Sequence, residues 1–424
     1  MKLDNELKET VNGMNLHIVE TKKFKTNTLV LKLKAPLSKV DVTQRALLPH
    51  VLQSATEMYP TTTALRSHLD DLYGASLYVD LSKKGEYQII TMRVEIANEA
   101  YLSDQTPLLE HGLTLLADIL LNPFLEEGVF SSSILEKEKR SLKQRIQSVF
   151  DDKMRYASLR LVEEMCKDEP YSLHVNGIRD EVDAITSQSL YDYYKKVLNE
   201  DEIDLYIVGD VDSNALKQSV SKLFKLESRQ PKTLIQTDSK VEKENEVIEE
   251  QDIKQGKLNV GYRTNITYGH PNYHALQVFN GIFGGFSHSK LFINVREKAS
   301  LAYYAASRVE SHKGLLMVMS GVDEKNYEQA VTIIKEQMTA MKNGEFTEQE
   351  IDQTKAVLVN QLLETIDTSR GLIEVLYNDV FGKITQPVEE WIRLVEEVTK
   401  EQILEVGSKL QLDTIYFLKG KGEA

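Results

Sequence analysis

The chain reads as an α+β protein made of two homologous units, each an antiparallel sheet with helices packed on one face. Three observations predict this. Both halves run through the same order of extended and helical segments. Each contains an alternating hairpin opened by the same triplet, Ala75-Ser76-Leu77 and Ala299-Ser300-Leu301, and a histidine precedes each triplet by 25 residues, His50 and His274. A stretch dense in charged and polar residues, 226–257, lies between them. Duplication of one unit of about 200 residues follows, and two such units on a long connection can face each other as a clamshell. The expected divisions are an N-terminal unit over 1–225, a charged linker over 226–245 and a C-terminal unit over 246–424.

In the first half, the extended runs "NLHIVET" and "NTLVLKLKA" precede helical patterns at 42–59 and 62–73. "SLYVDLSKKGEYQIITMRVEI" alternates with period two around Lys84-Gly85 and predicts a hairpin. Helices are expected near 106–121, 127–165 and 187–197, before the strand "EIDLYIVGDV". The second half predicts strands around 246–263 and a helix at 272–284. "KLFINVREK" then leads into a hairpin turning near His312-Lys313-Gly314, followed by helices at 326–342 and 347–366 and the closing strand "DTIYFLKG".

Composition narrows the function classes. With 41% hydrophobic and 27% charged residues, the chain is globular, not disordered. A net charge of −14 argues against nucleic acid, whose binding requires Lys/Arg surfaces. No apolar run approaches the roughly 20 residues that span a bilayer, and the N-terminus has no basic patch leading into an apolar segment, so neither a membrane anchor nor a signal peptide is expected. Cys166 is the single cysteine, which excludes an intramolecular disulfide and fits a reducing, cytoplasmic compartment. In a helical context it reads as an inert buried thiol.

The stretch "LPHVLQSATEMYPT" has His50, Gln53 and Ser54 at the spacing of the inverted zinc motif H-x-x-E-H. It stands with "LRSHLDDLYGASLYV", "ILEKEKRSLKQRIQSV", "GIRDEVDAITSQSLYDYYKKVL" before "IDLYIVGDVD", and "NGIFGGFSHSKLFINVREKASLAYYAASR". In this order, and over most of the chain, these segments resemble the pitrilysin/insulinase family of zinc peptidases, which includes the mitochondrial processing peptidase. The resemblance implies that two histidines would bind zinc, the intervening Glu would activate water, and a Glu on a downstream helix would be the third ligand. Residue by residue, His50 keeps the first histidine. Gln53 replaces the base, Ser54 the second histidine and Arg145 the third ligand, while Glu136 and Glu138 match earlier acidic positions of that segment.

Zinc takes about three Cys, His, Asp or Glu ligands plus an open position. One imidazole with a hydroxyl and an amide does not hold it, and a guanidinium in the third position repels it. Gln cannot accept a proton from water. No catalytic residue, metal or cofactor is therefore expected. A lone histidine on an apolar helix is also what packing alone produces, and Glu57, one turn on, reads as a solvated residue and not a substitute ligand. His270 and His274 have i, i+4 spacing but no acid between them, and Pro271 suits the first turn of a helix. The glycines of "NGIFGGFSHSKL" read as a helix end and tight turn, lacking the spacing of a nucleotide loop.

In the second half Arg296 is followed seven residues later by Tyr303. The resemblance implies a substrate-binding pair that grips a peptide carbonyl; an Arg capping a helix and a Tyr packed in the hairpin is the alternative. The resemblance further implies a non-catalytic bacterial homologue that pairs with an active homologous zinc-peptidase subunit in a heterodimer, or forms a homodimer, and binds peptide substrate. Such homologues include a type linked to 5-aminopentanol modification of elongation factor P. A hydrolase using another site and a peptide-binding scaffold with no enzymatic partner are the competing expectations.

Overall fold

The computed structural model describes residues 6–103, 106–234 and 240–421. It resolves into two compact units, and the division does not follow the sequence midpoint. The first unit holds the residues through Ser148, those from Leu173 into the connecting stretch, and Thr368–Glu374. The second holds Val149–Ser172, the chain beyond the connection through Asp367, and the residues from Val375 onward.

The first unit opens with β1 (Glu6–Val11), β2 (Met14–Glu20) and β3 (Thr26–Pro36). The β1–β2 turn is Asn12-Gly13, both at positive φ (49° and 70°), the backbone such a two-residue hairpin turn needs. Helices α1 (Val42–Leu52) and α2 (Thr62–Asp71) lead to the hairpin β4 (Ser76–Lys84) and β5 (Tyr87–Ala97). Next come α3 (Leu108–Leu121), the two-residue strands β6 (Leu125–Glu126) and β7 (Val129–Phe130), and α4 (Ser132–Asp151). Helix α5 (Lys153–Met165) passes into the second unit, and the chain returns with α6 (Ser187–Glu200), β8 (Glu202–Gly209) and α7 (Ser213–Leu223).

Six strands form one sheet in the order β1-β2-β8-β3-β5-β4. All neighbours are antiparallel except β2 and β8, which run parallel. Period-two alternation divides its faces. Leu29, Leu31 and Leu33 of β3, with Ile90, Met92 and Val94 of β5, pack against apolar side chains of α1, α3, α4 and α6 such as Leu47, Leu116, Leu142 and Leu190. On the other face lie Thr28, Lys32 and Asp204, met by the segment Thr368–Glu374.

The second unit has β9 (Asn245–Gln251), β10 (Gly256–Arg263), α8 (Tyr273–Asn280), β11 (Ala302–Glu310) and β12 (Leu315–Val322). Helices α9 (Tyr327–Lys342), α10 (Glu348–Ile366), α11 (Ser369–Gly382, of which the part through Glu374 belongs to the first unit), α12 (Val388–Glu396) and α13 (Lys400–Lys409) precede β13 (Gln411–Gly420). Its five-stranded sheet runs β11-β12-β10-β13-β9, antiparallel but for the parallel β13–β9 pair. Leu258, Val260, Leu316, Val318 and Phe417 face the helical layer that includes Leu276, Phe279, Ile334 and Val406. On the opposite face Ala157, Leu161 and Met165 of α5 pack against Leu315, Met317, Tyr416 and Leu418.

Several sequence expectations change here. The expected unit 1–225 loses 149–172, because the apolar stripe of α5 is buried on the second sheet; the expected unit 246–424 loses Thr368–Glu374 to the first. Each sheet is mostly, not wholly, antiparallel, and each carries one helical segment on the face opposite its main helical layer. Of the linker 226–245, residues 235–239 lie outside the described residues, and Asn245 already begins β9. The helix expected over 127–165 breaks at Asp152, whose carboxylate accepts from the N–H groups of Met154 and Arg155 and starts α5 anew. The helix expected over 42–59 ends at Leu52; Thr56 instead bridges to Pro123. The glycines after α8 continue it as a π-helical turn, Gly281–Gly285, and Phe292–Lys298 is π-helical too. Helices α7, α11, α12 and α13 go beyond the helices expected from the sequence. Two carry a usable signal: Asp212 caps α7, and Thr399 with Gln402 forms a capping box on α13. Among the described residues, no helix is long and apolar enough to cross a membrane.

Candidate functional site

The structure brings His50, Gln53, Ser54 and Arg145 into one neighbourhood of the first unit. His50 sits in the last turn of α1, an almost wholly buried helix, and is itself 8% exposed. Gln53 caps that helix and its amide Nε2 lies 3.2 Å from His50 Nδ1. An amide N–H can be accepted by Nδ1 only in the neutral ring. Burial and the charge of Arg145 act the same way, pushing the His50 pKa down to about 3.

Ser54 Oγ stands 3.0 Å from the His50 carbonyl oxygen and 3.0 Å from Glu138 Oε1, so its one hydrogen is shared between two acceptors. Glu138 is buried on α4, with Lys137 Nζ 3.6 Å from the same oxygen. Sequence reasoning sets Glu138 aside as an earlier acidic position. Its i, i+7 spacing from Arg145 is the available signal, since two turns of helix return both residues to one face.

Arg145 is the anomaly. Its Nε and Nη2 are buried with no hydrogen-bond partner among the described residues. Burial lowers its pKa while the charge of Glu138 raises it, and a guanidinium nonetheless stays protonated. The neighbourhood thus holds a neutral imidazole, a committed hydroxyl, an amide and a cation. Zinc does not fit: His50 is the one imidazole, its Nδ1 is engaged, and the third position is positively charged. Among the described residues, no group of three or more His, Cys, Asp or Glu is placed to hold a metal ion.

Buried donors without partners cost about 1–3 kcal/mol. Arg145→Met retains the packing stem and removes both donors, and Glu138 keeps Ser54 as a partner. We expect a stability gain of about 1 kcal/mol in urea unfolding, with the His50 pKa rising as the nearby charge goes. A loss of stability would show that the guanidinium has a partner after all.

The remaining candidates separate. Arg296 and Tyr303 both lie in the second unit and share no hydrogen bond among the described residues. The Arg296 guanidinium lies 4.6 Å from the centre of the Phe292 ring and its Nε is 3.6 Å from Glu297. Tyr303, on β11, is 75% exposed, so it is not the packed hairpin residue of the alternative expectation. His270 precedes α8 and its Nδ1 accepts from the Asn272 N–H. His274 is buried edge-on to Trp391, and burial pushes it down to about 4. Cys166 is buried at the end of α5. Glu57 is exposed.

A duplicated α+β chain whose inverted zinc motif is filled by residues that neither bind metal nor activate water defines a peptidase homologue without the chemistry. Comparisons with known proteins agree. Residues 184–358 match the family described as Peptidase M16 inactive domain. The "Probable inactive metalloprotease YmfF" of Bacillus subtilis (strain 168) is 59% identical over 422 residues, 99% of each chain. The crystal structure of a conserved protein from Enterococcus faecalis V583 superposes with a TM-score of 0.93 at 35% identity, covering 99% of this chain and 100% of that one. The mitochondrial-processing peptidase subunit beta of Saccharomyces cerevisiae (strain ATCC 204508 / S288c) is 25% identical over 413 residues, 87% of this chain and 88% of its own. The chain belongs to the peptidase M16 (pitrilysin/insulinase) family, as an inactive member.

Proposed function

We propose that this inactive homologue is the non-catalytic subunit of a peptide-processing assembly, pairing with an active zinc-peptidase homologue and contributing chamber and substrate binding. The observation that carries the reading is the contrast at His50: a complete family fold surrounds a site in which Ser54 is committed to Glu138 and Arg145 stands in the third ligand's place. With hydrolysis removed, such a chain acts by binding. A relative over 87% of this chain is by its description a subunit, which supports pairing. A cytoplasmic setting accords with a single cysteine that is buried.

Arg296 and Tyr303 are assigned to peptide contact. Both are exposed, one offers a cationic fork and the other a phenolic hydroxyl, and each can donate to a peptide carbonyl. The test mixes the purified chain with an H-x-x-E-H-bearing homologue from the same genome and follows complex formation by light scattering and peptide turnover. A heteromeric complex is expected. Arg296→Ala with Tyr303→Phe should then weaken peptide binding or turnover by roughly 10- to 150-fold, the range for loss of a charged hydrogen bond. Unchanged turnover would make the pair structural and the chain a scaffold. Hydrolysis by the isolated chain, or a homodimer that ignores the homologue, would defeat the heterodimer reading.

A further inference from the structure

One face of β3, β5 and β4 carries a charge balance opposite to that of the chain. Register sets Val30, Arg93 and Tyr78 in one row across the three strands, and Lys32, Thr91 and Asp80 in the next. Over these rows lies the segment Ser369–Glu374, which belongs to the same unit. Two contacts pin it: Ser369 Oγ to Thr28 Oγ1 at 2.8 Å, and Lys32 Nζ to Glu374 Oε1 at 2.6 Å. Between floor and roof is a cavity of about 490 Å³.

Three cations, Lys84, Arg93 and Arg370, stand against two anions, Asp80 and Glu374, in a chain of net charge −14; Lys83 also lines the cavity, but its ammonium donates to the Leu173 carbonyl. The anions are already engaged. Glu374 takes Lys32 and, at 3.5 Å, Lys84; Asp80 Oδ1 accepts from the Leu81 N–H. The two arginines are not. Arg93 is laid over the Tyr78 ring at 4.6 Å, and its Nε is buried without a partner among the described residues. Arg370 forms no hydrogen bond or ion pair among them.

A guanidinium held against an aromatic ring, with its donors uncommitted, suits a planar carboxylate that can accept two parallel hydrogen bonds. Val30, Ile373 and the Tyr78 ring provide apolar wall for a methylene stem. We propose that this cavity binds the carboxylate of an Asp or Glu side chain on an extended peptide, giving the protein a preference for acidic segments. The inference rests on the peptide-binding reading above and adds a specificity to it.

The experiment uses the full chain and short labelled peptides in pairs, one with Glu and one with Gln, measured by fluorescence anisotropy. The Glu peptide should bind about 10-fold tighter, as expected of a charged hydrogen bond. Arg93→Gln with Arg370→Gln should erase that advantage and spare the Gln peptide. Arg370→Glu alters an exposed residue and keeps the test alive if the double variant unfolds; it should turn the preference toward a Lys peptide. Equal binding of both peptides overturns the inference and leaves peptide binding standing. If neither peptide binds, the peptide reading fails and takes the inference with it. Inorganic phosphate bound in an Arg93-dependent way, with no peptide bound, would assign the cavity to phosphate and overturn the proposal too.

Discussion

The purified chain should contain no stoichiometric zinc, and the triple variant Gln53→Glu, Ser54→His, Arg145→Glu should bind about one equivalent. The double variant Gln53→Glu, Ser54→His should not. The reason is charge as much as ligand count. The double variant supplies a second imidazole and a base but leaves a guanidinium, whose charge already reaches His50, where a carboxylate is needed. The triple variant gives His, His and Glu, the three-ligand set that leaves a position for water. Glu138, now bonded to Ser54, would be left beside the new imidazole as an orienting carboxylate. Elemental analysis after exhaustive dialysis checks all three proteins, and zinc should raise the melting temperature of the triple variant alone. Stoichiometric zinc in the native chain, lost on mutating His50, would sink the reading. Strong peptide cleavage by the double variant would show that Arg145 does not occupy the third ligand's position.

Acid should destabilise the protein well above the carboxylate range. Burial pushes His50 down to about 3 and His174 and His274 down to about 4; Arg145 adds to the effect on His50, and Lys83 to that on His174. Each is neutral in the folded chain and titrates near 6.5 when unfolded. Between pH 6.5 and about 4 the unfolded state therefore binds more protons, and stability falls as pH falls. Each such histidine contributes about 1.4 kcal/mol per pH unit. From pH 6.5, where the unfolded ring is half protonated, to pH 5, the first unit, with His50 and His174, loses about 3 kcal/mol, and the second, with His274, about 1.5. Those are large shares of an ordinary domain's 5–15 kcal/mol. His17 works against the trend, since Asp204 and Glu6 outweigh its burial and raise its pKa, so its contribution strengthens as it protonates. Urea unfolding at pH 7.5, 6.5 and 5.5 measures the slope, and His174→Gln should flatten it for the first unit. Stability that stays level from pH 7.5 to 5 would mean these rings are hydrated or partnered when folded.

Much of the site is legible in the order of the residues. Motif spacing sets Gln53 and Ser54 after His50, the family resemblance adds Arg145, and the folded chain places all four in one neighbourhood. What spacing does not show is how they answer one another. Ser54 turns to Glu138, a residue 84 positions away, and Arg145 is left with two buried donors and no acceptor among the described residues. Arg296 and Tyr303 are legible as residue types, but their exposure, and the stacking of Arg296 on Phe292, depend on how β11 and the π-helical segment before it pack. Several helix ends misread the same way. Asp152 reads as one more polar residue in an amphipathic run until its carboxylate is seen to take the N–H groups that begin α5.

By itself the sequence determined the duplicated α+β plan, because period-two and period-3.6 patterns repeat in order in both halves and need no partner to be read. It also determined the loss of zinc chemistry, because the ligand properties of Gln, Ser and Arg are intrinsic to the side chains and no fold changes them. Only the tertiary structure decided which sheet each helix covers. The stripe on α5 says that it must be buried and not where, and the choice of the second sheet depends on Leu315, Met317, Tyr416 and Leu418, more than 140 residues away. The cavity beneath Ser369–Glu374 has the same origin. Arg93 and Arg370 are unremarkable in their own segments, and they line one space because the Thr28–Ser369 and Lys32–Glu374 contacts hold a late helical turn over an early sheet.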